Sequence, residues 1–417
     1  MVARAKVRTE TLGREPSSVT QAPPVPAAVP AHILPTIVAA TFAGTSLWFS
    51  GNAVFPDLQV SAGYTPAALG QLTIAVQIGF IVGTLVFAML SLADRFSPSL
   101  VFLLSTVAGA ASNAAVVATD AALWPMLVSR FGIGFFLAGI YPVGMKIAAS
   151  WFERDLGRAL GFMIGALVLG TAFPHLIRAL GGAFPWQFVL LVVSAFAVCG
   201  GLAMFLLVPN GPFSRPGARF APRAVIASFG SADFRASAGG YFGHMWELYV
   251  FWAFVPLFIA AHPAGPSDTA DVAFWAFVLI AAGAIGCMGG GLLSGRLGSA
   301  RVAFVQLSVS GVCCLLSPLA FLAPFPVAVA FLFVWGIVVA GDSPQFSALN
   351  ARYAPQQFVG SALTIVNCIG FAISILALAV IGGLETAVGL QYLFLFLVPG
   401  PILGLWALRR LAQSLSP

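Results

Sequence analysis

Residues 67–90 read AALGQLTIAVQIGFIVGTLVFAML, a run with no aspartate, glutamate, lysine or arginine. Coiled as a helix, such a run matches the roughly 30 Å of hydrocarbon in a bilayer. The same texture fills the chain on either side: 60% of its residues are apolar and 8% are charged, with a mean hydropathy of +0.99. A soluble domain needs roughly 25% charged residues to cover its surface. The charge count therefore excludes a pair of soluble domains, which a length of 417 residues would otherwise allow.

Apolar runs of this length predict twelve transmembrane helices, at about 33–56, 67–90, 99–119, 123–149, 157–180, 186–208, 236–261, 272–294, 301–322, 327–348, 358–383 and 387–408. A membrane β-barrel would show alternating polarity over segments of about ten residues, and none is present. Basic residues gather at every second junction. Arg4, Lys6, Arg8 and Arg14 precede span 1, and Arg95, Arg154, Arg158, Arg215, Arg219, Arg223, Arg235, Arg296, Arg301, Arg352, Arg409 and Arg410 follow. The opposite junctions hold Asp57, Asp120, Asp268, Asp271 and Glu385, with Arg178 the lone base. Bases stay on the cytoplasmic side of an inner (cell) membrane, so both termini are expected in the cytoplasm. The net charge of +6 thus follows membrane orientation, and no nucleic-acid partner is implied. Cys199, Cys287, Cys313, Cys314 and Cys368 lie inside apolar spans without ligand-like spacing, which predicts packing residues, with neither disulfide nor metal.

Residues 1–30 are polar and then Pro- and Ala-rich, predicting a disordered cytoplasmic tail, not a signal peptide, because the first apolar run starts late and is long enough to span. A break at 209–235, rich in Pro, Gly and Arg, divides a six-helix half at 31–208 from a second at 236–410, and 411–417 forms a short cytoplasmic tail. The halves read as copies. GIYPVGMKIAASWFERDLGRALGF around Pro142 aligns with AGDSPQFSALNARYAPQQFVGSAL around Pro344, and MLSLADRFSPSLVF is echoed by LLSGRLGSARVAF. An even number of spans per half makes the repeat parallel, with a solute site expected between the halves near mid-membrane.

The junction LSLADRFSPS resembles the conserved loop G-x-L-A-D-R-x-G-R-R of the major facilitator superfamily, with Asp94 and Arg95 on its acid–base pair, while Leu90 replaces the glycine and Ser97-Pro98-Ser99 the last three residues. Arg130-x-x-x-Gly134, GIYPVG and WFERDLGRALGF continue the resemblance through spans 4 and 5. It implies an all-α fold of two pseudo-symmetric six-helix bundles whose central cavity is lined by spans 1, 4, 7 and 10, a gating role for Asp94 and Arg95, and proton coupling at Arg130.

Ionisable side chains inside hydrocarbon cost roughly 2.5–3.5 kcal/mol each at a helix centre, so they persist where they face a wet cavity or a partner. The deep ones are Arg130 in span 4, His244 and Glu247 in span 7, and Asp342 in span 10. All four fall on the cavity-lining set that the resemblance implies. Glu247 lies near the midplane with His244 one turn earlier. Burial disfavours the charged carboxylate, which suits Glu247 to load and release a proton. Asp342 precedes Pro344, which loosens the helix beside a carboxylate; as an alternative, it caps a helix restarting there. Arg130, His244, Glu247, Trp48, Asn52 and Tyr141 are the candidate substrate contacts. Lys146 is expected to snorkel and His175 to sit at the interface. The glycine runs GFMIGALVLG and GAIGCMGGGLLSG lack the phosphate-loop pattern and are expected to let helices approach and slide.

The reading is a monomeric secondary transporter of a small polar or anionic solute, with protons and lipid as its other partners, no cofactor and no enzymatic constellation. Its rivals are a proton-driven exporter of cationic or lipophilic compounds, and a transporter-like receptor or assembly factor that moves nothing.

Overall fold

In hydrocarbon, backbone groups must find their hydrogen bonds within the chain, which favours helices. The computed structural model describes residues 29–152, 156–182, 184–214 and 220–413, and every regular element among them is helical. The tail to residue 28, residues 414–417, and Arg154, Arg215 and Arg219 of the charge pattern lie outside the described residues, as do the side chains of Arg223 and Glu385.

Eleven helical stretches are long and apolar enough to cross a membrane, and a shorter apolar helix, Ile33–Thr45, belongs to the first span. Span 1 is not the continuous helix predicted over 33–56. It stops at Thr45, turns through residues 46–49, and resumes as Ser50–Ala53 and Phe55–Ala62. The remaining spans are Ala67–Leu90, Pro98–Thr119, Leu123–Trp151, Arg158–Leu180, Trp186–Leu207, Ala232–Ala261, Thr269–Leu297, Ser299–Leu322, Phe325–Tyr353, Gln356–Leu384 and Leu390–Gln413. The break between halves carries a short helix, Pro222–Gly230, and span 7 begins at Ala232, where the Ser231 hydroxyl accepts from the Phe234 amide at 3.4 Å.

The two halves repeat the same defect. Span 4 is interrupted between Leu123–Leu137 and Tyr141–Trp151, and span 10 between Phe325–Gly341 and Ser343–Tyr353. Pro142 and Pro344 each occupy the second position of the second segment. A proline has no N–H for the carbonyl four residues back and its ring crowds that carbonyl. In span 10 the freed carbonyl of Ala340 accepts instead from Cys287 Sγ at 3.2 Å.

Outside, Leu104, Val128, Leu206, Leu319 and Trp406 are among many large apolar side chains left exposed. A soluble surface does not carry so much contiguous apolar area, and lipid is its solvent. Inside, small residues set the helix spacing. The two glycine runs of spans 5 and 8 face each other across the halves: Gly161 lies beside Gly291, and a methyl at Gly165 would meet Met288 at 3.3 Å. Span 2 meets span 11 through Ser374 Oγ, which donates to Gln77 Oε1 at 2.7 Å, and through the Phe80 and Phe371 rings, 4.6 Å apart.

The ends of the molecule differ. At the face carrying the linker, a vestibule of about 490 Å³ opens between the halves, lined by Phe87, Asp94, Lys146, Phe220, Gln356 and Thr364 among others. At the opposite face the halves meet around Asn52, Phe55, His175, Pro256 and Ala273, leaving only about 20 Å³. The state described is closed on that side.

A close helix crossing at Gly134 yields a stability test. A Cβ at Gly134 would be driven into the Val76 carbonyl and within 2.9 Å of the Phe80 amide, backbone that cannot step aside, whereas one at Gly289 meets nothing within 4 Å. Gly134→Val is expected to destabilise the detergent-solubilised protein by at least about 1–3 kcal/mol, and Gly289→Ala to leave it unchanged or stabilise it slightly. Thermal melts of the two variants check both signs.

Candidate functional site

His244 and Glu247 are three residues apart, so their directions differ by about 60° around span 7. The helix uses that angle to serve two compartments. Glu247 turns into the second half, where Oε2 accepts from Ser310 Oγ of span 9 at 2.9 Å and from Cys314 Sγ at 3.5 Å. Trp335 Nε1 of span 10 in turn donates to Ser310 Oγ at 3.0 Å. Glu247 Oε1 has no hydrogen-bond partner.

The break in span 10 places Asp342 opposite. Its Oδ1 lies 2.8 Å from His244 Nδ1, but off the line of a ring N–H, so neither carboxylate oxygen completes a hydrogen bond. Its side chain does not cap the restarted helix, the alternative raised by the sequence. The imidazole's other nitrogen, Nε2, is 2.8 Å from Ser343 Oγ. Donor atoms of His244, Glu247 and Asp342 all fall within 4.8 Å of one another, and the three residues are at most 1% exposed. Among the described residues, the hydrogen bonds and ion pairs of the arginine and lysine side chains go elsewhere than this cluster. Two carboxyl groups are therefore held close together, out of water, with an imidazole as their only described basic neighbour.

Arg130 is deep but stands apart from them. Its guanidinium fork reaches the break in span 1: Nη1 donates to Ser50 Oγ at 2.9 Å and to the Leu47 carbonyl at 3.3 Å, and Nη2 donates to the Trp48 carbonyl. The turn at 46–49 frees carbonyls that a continuous helix would have bonded, and Arg130 takes them. Ser50 Oγ is also 2.7 Å from Asn113 Oδ1, and Asn113 donates to the Leu190 carbonyl and Ser194 Oγ at 2.9 and 3.0 Å. Spans 1, 3, 4 and 6 are tied into one polar network.

Between the halves lies a cavity of about 60 Å³. Trp48, Tyr141, Tyr249, Trp252, His244 and Ser343 help to line it, with Ser347, Asn367 and Phe371 completing the second half's wall. Tyr249 stacks on Trp48 with centroids 5.7 Å apart and meets Trp252 edge-on at 5.3 Å. The indole N–H groups of Trp48 and Trp252 are buried without an acceptor, an uncommon condition for buried donors. Trp48, Tyr141 and His244 are thus cavity residues, whereas Glu247 and Arg130 do not line this cavity. Tyr241, Phe371, Ser343 and Asn367 escaped the sequence reading as cavity residues, because aromatic and small polar residues at helical spacing look like ordinary packing.

Asn52 sits nearer the opposite face, donating to Thr73 Oγ1 at 2.8 Å. His175 is 2% exposed, buried and not interfacial as predicted. Arg178 forms a two-pronged pair with Asp57, both contacts at 2.8 Å, so the lone base of that face is held by an acid. Asp94 is engaged by Lys146 at 2.5 Å, and Lys146 also donates to the Ala93 carbonyl at 2.8 Å. That bond clamps the loop after span 2 to span 4 at the vestibule. Arg95 lies on the exposed side of the loop.

A model of the Major Facilitator Superfamily matches residues 36–259, a little over half of the chain. The structure of the nucleoside transporter NupG aligns with a TM-score of 0.70 at 15% identity, covering 90% of this chain and 99% of that one. The E. coli fucose:proton symporter FucP aligns with a TM-score of 0.63 at 14% identity, covering 90% and 98%. At such identities the likeness is one of fold. No curated relative matches in sequence.

The geometry around Arg130 makes it the latch of span 1. Arg130→Lys keeps the charge but cannot reach three acceptors with a planar fork. Leaving one or two buried acceptors unpaired is expected to cost about 1–3 kcal/mol, read as a lower melting temperature of the purified protein; an unchanged melt would remove the latch role.

Proposed function

Because the chain belongs to the major facilitator superfamily, we propose that it is a proton-coupled secondary transporter of a small, polar, uncharged solute. The observation that carries this reading is the buried Glu247–Asp342 pair beside a cavity between the two halves. Two carboxylates cannot both stay ionised this close in a dry interior without a cation. A proton held between them satisfies that constraint, and its arrival and departure give the protein two charge states to alternate between. Ser310, anchored by Trp335, holds Glu247 in place for this exchange.

The solute would bind against the aromatic wall of Trp48 and Tyr249 once these stacked rings separate and the cavity widens. Aromatic faces suit the apolar side of a ring, and the free indole N–H groups of Trp48 and Trp252, with Ser343, Ser347 and Asn367, suit hydroxyl or carbonyl oxygens. Among the described residues no arginine or lysine lines this cavity, and the two terminal nitrogens of Arg130 are occupied by span 1. The anionic half of the sequence-based reading therefore loses its anchor, and a neutral polyol, sugar or nucleoside fits better. The names of the two aligned transporters make a nucleoside and a sugar reasonable first probes.

In this reading the linker face and both termini lie in the cytoplasm, the membrane is a cell membrane, and the vestibule is the cytoplasmic half-channel. Rocking the halves about the small-residue contacts of spans 5 and 8 would close it and open the far side. The aromatic wall also gives the exporter of cationic compounds a foothold, through cation–π contacts.

Proteoliposomes separate these readings. With an imposed inward pH gradient, labelled uridine or fucose is expected to accumulate, and a labelled lipophilic cation is not. Glu247→Gln should cut gradient-driven accumulation at least tenfold while probe exchange without a gradient persists. Expulsion of the cation would favour the exporter, and absence of flux for every probe the non-transporting receptor.

A further inference from the structure

The proposed coupling site and the solute cavity are separate compartments, and His244 touches both. One nitrogen approaches the Asp342 carboxyl group and the other the Ser343 hydroxyl, each at 2.8 Å. Asp342 and Ser343 are consecutive residues at the span 10 break, so the break sets one on the coupling side of the ring and the other in the cavity wall. The rings of Tyr241 and Phe346 confine the imidazole, with centroids 6.1 and 5.8 Å away.

Resting on the proton-coupled reading, we propose that His244 and Ser343 form a tautomer switch, which presents protonation of Asp342 to the solute as a change from hydrogen-bond acceptor to donor. A neutral imidazole has one N–H and one lone pair, and the partner of each nitrogen selects which is which. With Asp342 ionised, Nδ1–H faces Oδ1 after a small ring rotation. Nε2 then accepts the Ser343 hydroxyl hydrogen, and Ser343 offers only lone pairs to the cavity.

A proton entering from cavity water bonds to Nε2 as the Nδ1–H bond breaks and that proton passes to Asp342 Oδ1, in one concerted step. The imidazole ends neutral, Asp342 holds the added proton, and its O–H donates to the Nδ1 lone pair. Nε2–H now donates to Ser343 Oγ, so the Ser343 hydrogen is free to point at a solute acceptor. One proton has entered and one cavity donor has appeared. Release runs the same steps backwards.

The titratable neighbours of this unit are few. Span 7 supplies Glu247 and Tyr241, span 8 Cys287, span 9 Cys313 and Cys314, span 4 Tyr141 and span 11 Cys368. None is a fixed cation that would hold Asp342 ionised throughout, so the switch can travel its full range.

Nitrogen NMR of histidine-labelled protein in proteoliposomes tests this directly, with the His244 signals identified by their loss in His244→Gln. As pH falls, the pyrrole-type and pyridine-type signals of His244 should exchange nitrogens without passing through imidazolium. Asp342→Asn should abolish the exchange. Ser343→Ala should keep the exchange but remove the pH dependence of affinity for whichever probe, uridine or fucose, is carried. A single tautomer at every pH, an imidazolium intermediate state, or retained pH dependence in Ser343→Ala would overturn the switch while gradient-driven uptake by the unaltered protein left the coupling reading standing. Absence of gradient-driven uptake in the unaltered protein would overturn that reading and the switch with it.

Discussion

Two carboxyl groups facing each other in a dry helix bundle impose a demand that the rest of the molecule answers. Charge in such surroundings must be paired, neutralised or moved into water. Glu247 and Asp342 have no described arginine or lysine at hand, and the only basic group between them is an imidazole that also touches the cavity. The broken helix of span 10, the serine on span 9 and the tryptophan behind it all serve to hold these groups in register. Arg130, a deep cation, is bound elsewhere. Its bonds to the span 1 carbonyls keep it from cancelling the pair, which leaves the pair responsive to protons.

Broken spans 1, 4 and 10 show how irregular backbone is tolerated at membrane depth. Breaks free carbonyls, and at two of them a side chain answers: Arg130 at span 1, Cys287 at span 10. Irregularity of this kind persists where protein or a cavity surrounds it and not where lipid does. Breaks also let a helix aim adjacent side chains in directions that a continuous helix forbids, and Asp342 and Ser343 depend on that freedom. The contact between the halves at spans 5 and 8 is of a different kind, built from Gly161, Gly165 and Gly291. Such surfaces have little side-chain interdigitation to undo and suit the rocking proposed above.

Much of the fold was legible in the sequence because bilayer thickness fixes helix length, and eleven of the spans lie within a few residues of their predicted limits. Pro344 announced the span 10 break, whereas the break in span 1 has no proline at residues 46–49 and is stabilised by a residue some eighty positions away. The deep ionisable residues were legible too, since hydrocarbon makes any charge conspicuous. Their partners were not. Spacing along span 7 says that Glu247 and His244 diverge by a fraction of a turn, but only packing tells which of them meets Ser310 and which meets the cavity. Part of the aromatic wall was hidden for a related reason: Tyr241 and Phe371 carry the same composition as a packed core, and the unpartnered indoles emerge only in three dimensions.

The central claim is that Glu247 and Asp342 hold a proton between them. Infrared difference spectroscopy of the protein in membranes reads this directly, through the carbonyl band of a protonated carboxylic acid and its displacement in heavy water. The account predicts such a band near neutral pH, lost or displaced in both Glu247→Gln and Asp342→Asn. Two ionised carboxylates, with no band that either substitution alters, would contradict it.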